Sequence, residues 1–332
     1  MTTMRGLASW AVAAVAIAFS AATPSAAAAP LELVSTIPMP GVTGRIDHLS
    51  FDATHHRLFV AALGNDTVEV LDTALQRRAT IRGLGEPQGV LYVPGAERLV
   101  IANGGANRVD VVDPASLAVE KRVEGLDDAD NVRYDAASRK VLVGYGAGAL
   151  RILDPVSGES AGDIALPGHP ESFQLEERGN RAFVNVPSAH SVVVVDRTAR
   201  KAVARWRTPD AAQNFPMALD ERDGRLFVGA RSPAVLLVYD TGSGEVVARL
   251  TIGKDTDDVF FDARRKRVYA ICGEGSVDVI DQADRNHYVR EASIDTAPGA
   301  RTGLFVLGED RLYVAAPARG RSPARILVFG VH

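Results

Sequence analysis

His48–Ala61 reads HLSFDATHHRLFVA: a short apolar run, a polar turn, then a second run rich in β-branched and aromatic residues. That order describes two strands joined by a tight turn. The same 14-residue pattern returns at Gly89 (GVLYVPGAERLVIA), Asn131 (NVRYDAASRKVLVG), Ser172 (SFQLEERGNRAFVN), Pro216 (PMALDERDGRLFVG), Asp258 (DVFFDARRKRVYAI) and Gly303 (GLFVLGEDRLYVAA). The intervals are 41, 42, 41, 44, 42 and 45 residues. A near-constant period of this size marks a repeat architecture in which each unit buries its apolar face against the next.

A third apolar run follows the copies, as in TVEVLD, RVDVVD and SVVVVD. The first six units add a fourth, such as Arg78–Arg82 (RATIR) and Lys201–Arg205 (KAVAR). Four short strands per period make one propeller blade. The expected fold is therefore all-β, a seven-bladed β-propeller with four-stranded blades. Unit seven stops at ILVFGVH and has no fourth strand, whereas Leu31–Pro38 (LELVSTIP) is a spare strand ahead of unit one. An open sheet edge exposes unpaired N–H and C=O groups, so the N-terminal strand is expected to complete blade seven and close the ring.

The chain has 332 residues and 46% hydrophobic content, enough for a large core, and the repeat makes residues 29–332 one closed unit. Residues 1–28 read differently. Arg5 precedes the apolar Leu7–Phe19, and small residues follow to Ala29. This is the layout of a secretory signal peptide, with cleavage expected near Ala28 and a periplasmic or secreted product. Loss of Arg5 with that leader takes the net charge from −4 to −5. An acidic chain lacks the basic face that broad nucleic-acid binding requires. A single cysteine, Cys272, rules out an intrachain disulfide and is expected to be a buried packing thiol.

Arg57–Asp72 (RLFVAALGNDTVEVLD), and Arg98–Asn103 running on to Asn107–Asp113, resemble the YVTN-type β-propeller repeat. The resemblance covers the mature chain and points to the exported, YncE-like propellers of bacteria. It implies a binding module, a scaffold or, in some members, an enzyme, and nucleic-acid binding has been attributed to the group. The paired Gly-His and Trp-Asp signature of WD40 repeats and the double glycine of kelch repeats are absent. Trp206 is the only tryptophan after residue 28, which leaves no tryptophan-rich dock of the kind quinone-dependent dehydrogenases use.

Two sets of acidic residues repeat with the period. Asp72, Asp113, Asp154, Asp196, Asp240 and Asp281 end the third strands, and Asp52, Asp135, Asp220 and Asp262 end the first. Each precedes turn-forming residues, so a structural role is expected, the carboxylate accepting backbone N–H groups two residues on. His55, His56 and the run Arg264–Arg267 fall in first-to-second-strand turns and are expected to be solvated.

The leading ends of the first strands converge on one mouth of the channel, and there the residues do not repeat: Asp47-His48, Gln88, Asp130-Asn131, His169 with Glu171, Asn214, Asp257-Asp258 and Arg301. Scaffold positions of a repeat should repeat, and varied polar types at one place suggest a site. Asp47, Gln88, Asp130, Asn214 and Arg301 are candidate ligand-binding residues. Asn131, Glu171, Asp257 and Asp258 are candidate ligands for Ca²⁺ or Mg²⁺, which take carboxylate and amide oxygens; gluconolactonase-type propellers offer the analogy. His48, His169 and His190 are candidate proton-transfer groups. Two functions are carried forward. One is an exported binding or scaffold module for a small molecule, peptide or periplasmic protein. The other is a divalent-metal-dependent hydrolase of the lactonase or esterase kind, with the metal polarising the carbonyl and acidifying water.

Overall fold

The computed structural model describes residues 1–2, 29–72 and 77–332, and the side chains of 77 and 78 are excluded. The expected signal peptide lies almost wholly outside these residues. Among them are 28 strands in seven four-stranded antiparallel sheets, and no α-helix. Six sheets use four consecutive strands from the inside outward. Their innermost strands are Leu49–Asp52, Pro87–Val93, Val132–Asp135, Phe173–Leu175, Ala212–Asp220 and Thr256–Asp262. The seventh sheet runs Thr302–Val306, Arg311–Ala316, Arg325–Val331 and then Leu31–Pro38. The N-terminal strand thus pairs antiparallel with the C-terminal one, from Leu31 opposite Val331 to Pro38 opposite Arg325.

Ring closure is visible in the core. Seven apolar clusters lie between neighbouring blades, where an open arc of seven blades would have six. One joins blades 1 and 2 through Phe59, Val68, Val90 and Ile101. The closing cluster joins blades 7 and 1, packing Ile37 and Met39 with Leu49, Val60, Ile326 and Val328. The β-branched residues of the second and third strands point alternately into the two flanking clusters, so both faces of each blade are buried. The protein is a seven-bladed β-propeller.

Both sets of repeating aspartates make turns. Asp113 Oδ1 accepts the N–H groups of Ala115 and Ser116, and Asp154 Oδ1 those of Val156 and Ser157. Asp262 does the same for Arg264 and Arg265. The basic turn is more engaged than a solvated tip: Arg264 and Arg265 both reach Asp310 of blade 7. His55 stays exposed beside Asp52, and His56 beside Glu309. Cys272 is fully buried, and burial pushes its thiol up to about 12.

Pairing corrects the phase of copy seven. Val306 sits opposite Arg311, as Asp52 sits opposite Arg57 in blade 1. The seventh copy therefore begins at Thr302 and not at Gly303, with a four-residue turn like that of blade 1. With that phase, the residue before each copy is Asp47, Gln88, Asp130, Glu171, Phe215, Asp257 or Arg301.

Candidate functional site at the channel mouth

Short backbone bridges carry the leading residues to the mouth. Asp47 N donates to the Ala61 carbonyl, Asp130 N to Gly144 and Glu171 N to Asn185. These bonds extend the first strands by a residue or two and hold the side chains on a stiff frame. Blades approach closely here. A Cβ on Gly89 would lie 2.2 Å from the Asp130 carbonyl oxygen, so the absence of a side chain at Gly89 lets blades 2 and 3 meet.

The mouth is a lattice of opposite charges. Asp257 binds Arg231 Nη2 at 2.6 Å through Oδ1 and Arg301 Nε at 3.0 Å through Oδ2. Arg45 reaches Asp47 at 2.7 Å and lies 4.0 Å from Asp257. Both Arg231 and Arg301 also touch Asp255. Arg231 in addition covers the Phe215 ring, its guanidinium carbon 4.2 Å from the centroid. His48 Nδ1 lies 3.5 Å from Asp258 Oδ1, and its Nε2 lies 3.3 Å from the Asn131 amide. Asp258 Oδ2 accepts the Gly303 N–H.

A β-bulge explains why two adjacent aspartates both serve this lattice. Thr256 pairs with Cys272 and Asp258 with Ile271, so Asp257 is an extra residue in its strand. Bulges re-aim side chains and suspend the usual alternation.

Asp130 and Glu171 stand apart from the arginines. Neither has a lysine or arginine nitrogen within 4 Å among the described residues. Burial pushes Asp130 up to about 7, helped by the charge of Glu171; burial and the charge of Asp257 push Glu171 to about 7. His48 moves the other way for a base. Burial pulls it down, but Asp258, Asp47 and Asp130 outweigh burial and raise it to about 10. At neutral pH His48 is a cation, and burial keeps Asp130 and Glu171 each partly protonated.

The sequence-derived candidates divide. Asp47, His48, Asp130, Asn131, Glu171, Asp257, Asp258 and Arg301 share the mouth. Gln88 sits at its edge, donating to Asp128 at 3.1 Å, and His169 stands beside it with Nδ1 2.8 Å from the Gly146 carbonyl oxygen. Asn214 does not present itself to the channel. It is fully buried and donates to Asn185 Oδ1 and the Ser191 carbonyl, because it lies one residue ahead of the channel-facing position, which Phe215 takes, at a place buried in every blade. His190 is also elsewhere, caps a short 3-10 turn with φ 47°, and lines a separate hollow with Arg205, Arg207 and Asp210. Arg45, Arg231 and Arg133 complete the site; the first lies outside the repeated copy, and the last carries no mark beyond being a cation at a channel-facing position.

The donor set does not suit a hard cation. Among the described residues no three His, Cys, Asp or Glu side chains form a group that could hold a metal ion. Of the candidate carboxylates, Asp257 and Asp258 already face Arg231, Arg301 and His48, which leaves Glu171 alone with the Asn131 amide. No hydrolytic step through a metal is derived.

Below the mouth the channel opens into a cavity of about 230 Å³, bordered by His48, Asp258, Ser50, Leu91, Arg133, Gln174, Phe260 and Leu304 among others. The fold and this site define a β-propeller with a charged, non-repeating channel mouth. Neither a family model nor a curated protein matches the sequence. Solved structures do match in shape. A chain of the crystal structure of the mitotic checkpoint complex superposes with a TM-score of 0.77 at 12% identity, over 97% of this chain and 98% of that one. A chain of Kuenenia stuttgartiensis hydrazine synthase gives 0.71 at 15% identity, over 83% and 95%. At such identities the likeness shows the fold alone.

Proposed function

We infer that the protein is an exported, YncE-like propeller of the YVTN type that works as a binding or scaffold module, taking a small polar ligand at the channel mouth. One observation carries the reading. Side chains that differ from blade to blade converge over an axial cavity, and two of them, the buried Asp130 and the half-buried Glu171, lie there without a lysine or arginine partner. Burying a charge without a partner is costly, and a ligand supplying donors would offset that cost. The turn aspartates, by contrast, repeat and are spent on the scaffold. Export is supported by the leader-like composition of residues 1–28. A peptide or a periplasmic protein presenting such a group would use the same mouth.

A thermal-shift panel of amines, small acids, amides, sugars, short peptides, nucleic acid and divalent ions tests this. At least one class should raise the melting temperature, and Asp130→Asn/Glu171→Gln should change that response. Silence across the panel would remove the small-ligand reading and leave only a scaffold.

A further inference from the structure

We propose that the cavity beneath the mouth is a site for a small monocarboxylate with a short apolar body, its carboxylate taken by Arg133. This deepens the reading of the channel as a ligand site and rests on it.

The first argument is pairing. Around the channel, Arg45, Arg231 and Arg301 are held by carboxylates at 2.7, 2.6 and 3.0 Å. Arg133 has no carboxylate within 4 Å among the described residues. Its guanidinium donates to the carbonyl of its neighbour Val132 at 2.9 Å and to Ser172 Oγ at 3.4 Å. A guanidinium has five N–H donors in a planar fork matched to a carboxylate, and most of this fork is unspent. Burial lowers Arg133 from its ordinary value more than the distant charges of Asp258 and Asp130 raise it. A ligand anion would reverse that balance.

The second argument is the donor and acceptor count. Ser50 Oγ already accepts the Tyr92 N–H at 2.8 Å, which leaves its hydrogen to donate. Gln174 Nε2 is taken by the Met217 carbonyl. Asp258 uses one oxygen on Gly303 N–H and turns the other to His48, itself a cation at neutral pH. Gln174 Oε1 is the one acceptor left free, and the unspent N–H groups of Arg133 with the Ser50 hydroxyl outnumber it, so the missing partner is an acceptor.

The third argument is shape. Leu91, Phe260 and Leu304 give the cavity apolar walls opposite this polar side. A volume of about 230 Å³ holds a small molecule and not a polymer segment, and hexanoate is a probe of that size. One free arginine suits one carboxylate. A dianion would meet the carboxylates of Asp258 and Asp130, and of the two cations at the cavity His48 already faces Asp258, which leaves Arg133 to offset the second charge.

Calorimetry with hexanoate, its uncharged isostere hexanamide, and inorganic phosphate tests this on the purified protein. Hexanoate should bind at least tenfold more tightly than hexanamide or phosphate. Arg133→Gln should weaken hexanoate at least tenfold, and Arg133→Lys should restore part of the loss. If Arg133→Gln does not fold, the hexanoate–hexanamide difference on the unaltered protein decides. Equal binding of acid and amide, preference for phosphate, or indifference to Arg133→Gln would overturn the proposal. If panel ligands bind and respond to Asp130→Asn/Glu171→Gln while hexanoate does not bind, the mouth reading stands and this one falls. Absence of any ligand would overturn both.

Discussion

His48 Nδ1 lies 3.5 Å from Asp258 Oδ1, joining the first residues of the copies in blades 1 and 6 across blade 7. The contact spans 210 positions of sequence and exists only because the ring is closed. The imidazole is raised to about 10, although burial alone would lower it. A raised histidine stabilises the fold fully below its unfolded value of about 6.5, and that contribution is lost as pH climbs through 10. The His48 ring should therefore remain protonated past pH 8 in an NMR titration. Asp258→Asn should lower its midpoint by at least about 1; a midpoint near 6.5 in the unaltered protein would refute the ion pair.

Asp130 and Glu171 shift stability in the same direction as His48, through burial instead of ion pairing. Their folded values, near 7, lie above the unfolded ones. The stability tied to their protons is present below about pH 4 and is lost as pH rises through 7. Asp130→Asn removes the cost of ionising there. It should raise the melting temperature at pH 8 by roughly 2–4 °C, with a smaller gain at pH 5. An equal change at both pH values would show that these carboxyls do not hold extra protons in the folded state.

Ring closure depends on Leu31–Pro38, whose inward face packs Ile37 between blades 7 and 1. Ile37→Ala should cost about 2–5 kcal/mol in urea unfolding. Val34→Ala on the exposed face of the same strand should stay within about 0.5 kcal/mol. Similar losses at both would mean that closure rests on backbone pairing and not on this packing.

Gly89 faces the Asp130 carbonyl at a distance that leaves no room for a methyl group. Gly89→Ala should destabilise by about 1–3 kcal/mol and shift the titration of Asp130. A neutral substitution would show that blades 2 and 3 sit further apart.

Chelation supplies a further check. Asp257 and Asp258 spend their oxygens on Arg231, Arg301, His48 and the Gly303 N–H. EDTA and millimolar calcium or magnesium should therefore leave the melting temperature unchanged. A rise with calcium that disappears in Glu171→Gln would restore a metal to the mouth.

Much of the architecture was legible in the chain itself. The period of about 42 residues, the turn aspartates and the unpaired strand Leu31–Pro38 all express local rules: alternate burial, Asx turns, and the cost of an open edge. The convergence of Asp47, Asp130, Glu171 and Asp257 follows from the same rules, since each immediately precedes a copy of the repeat. Less legible was what each side chain does on arrival. Asn214 lies one residue ahead of the channel-facing position, which Phe215 takes, and points into the interior. Asp257 and Asp258 both serve the mouth because a bulge makes Asp257 an extra residue in its strand.

The sequence by itself determined the number of blades, their order and the strand that closes them, because those depend on short-range patterns repeated seven times. Only the tertiary structure decided which charges are matched. Arg231 and Arg301 find Asp257, Arg45 finds Asp47, and Arg133 finds none. The partners of Asp257 belong to the blades on either side of it, so their meeting depends on ring curvature and bulge geometry that no single repeat encodes.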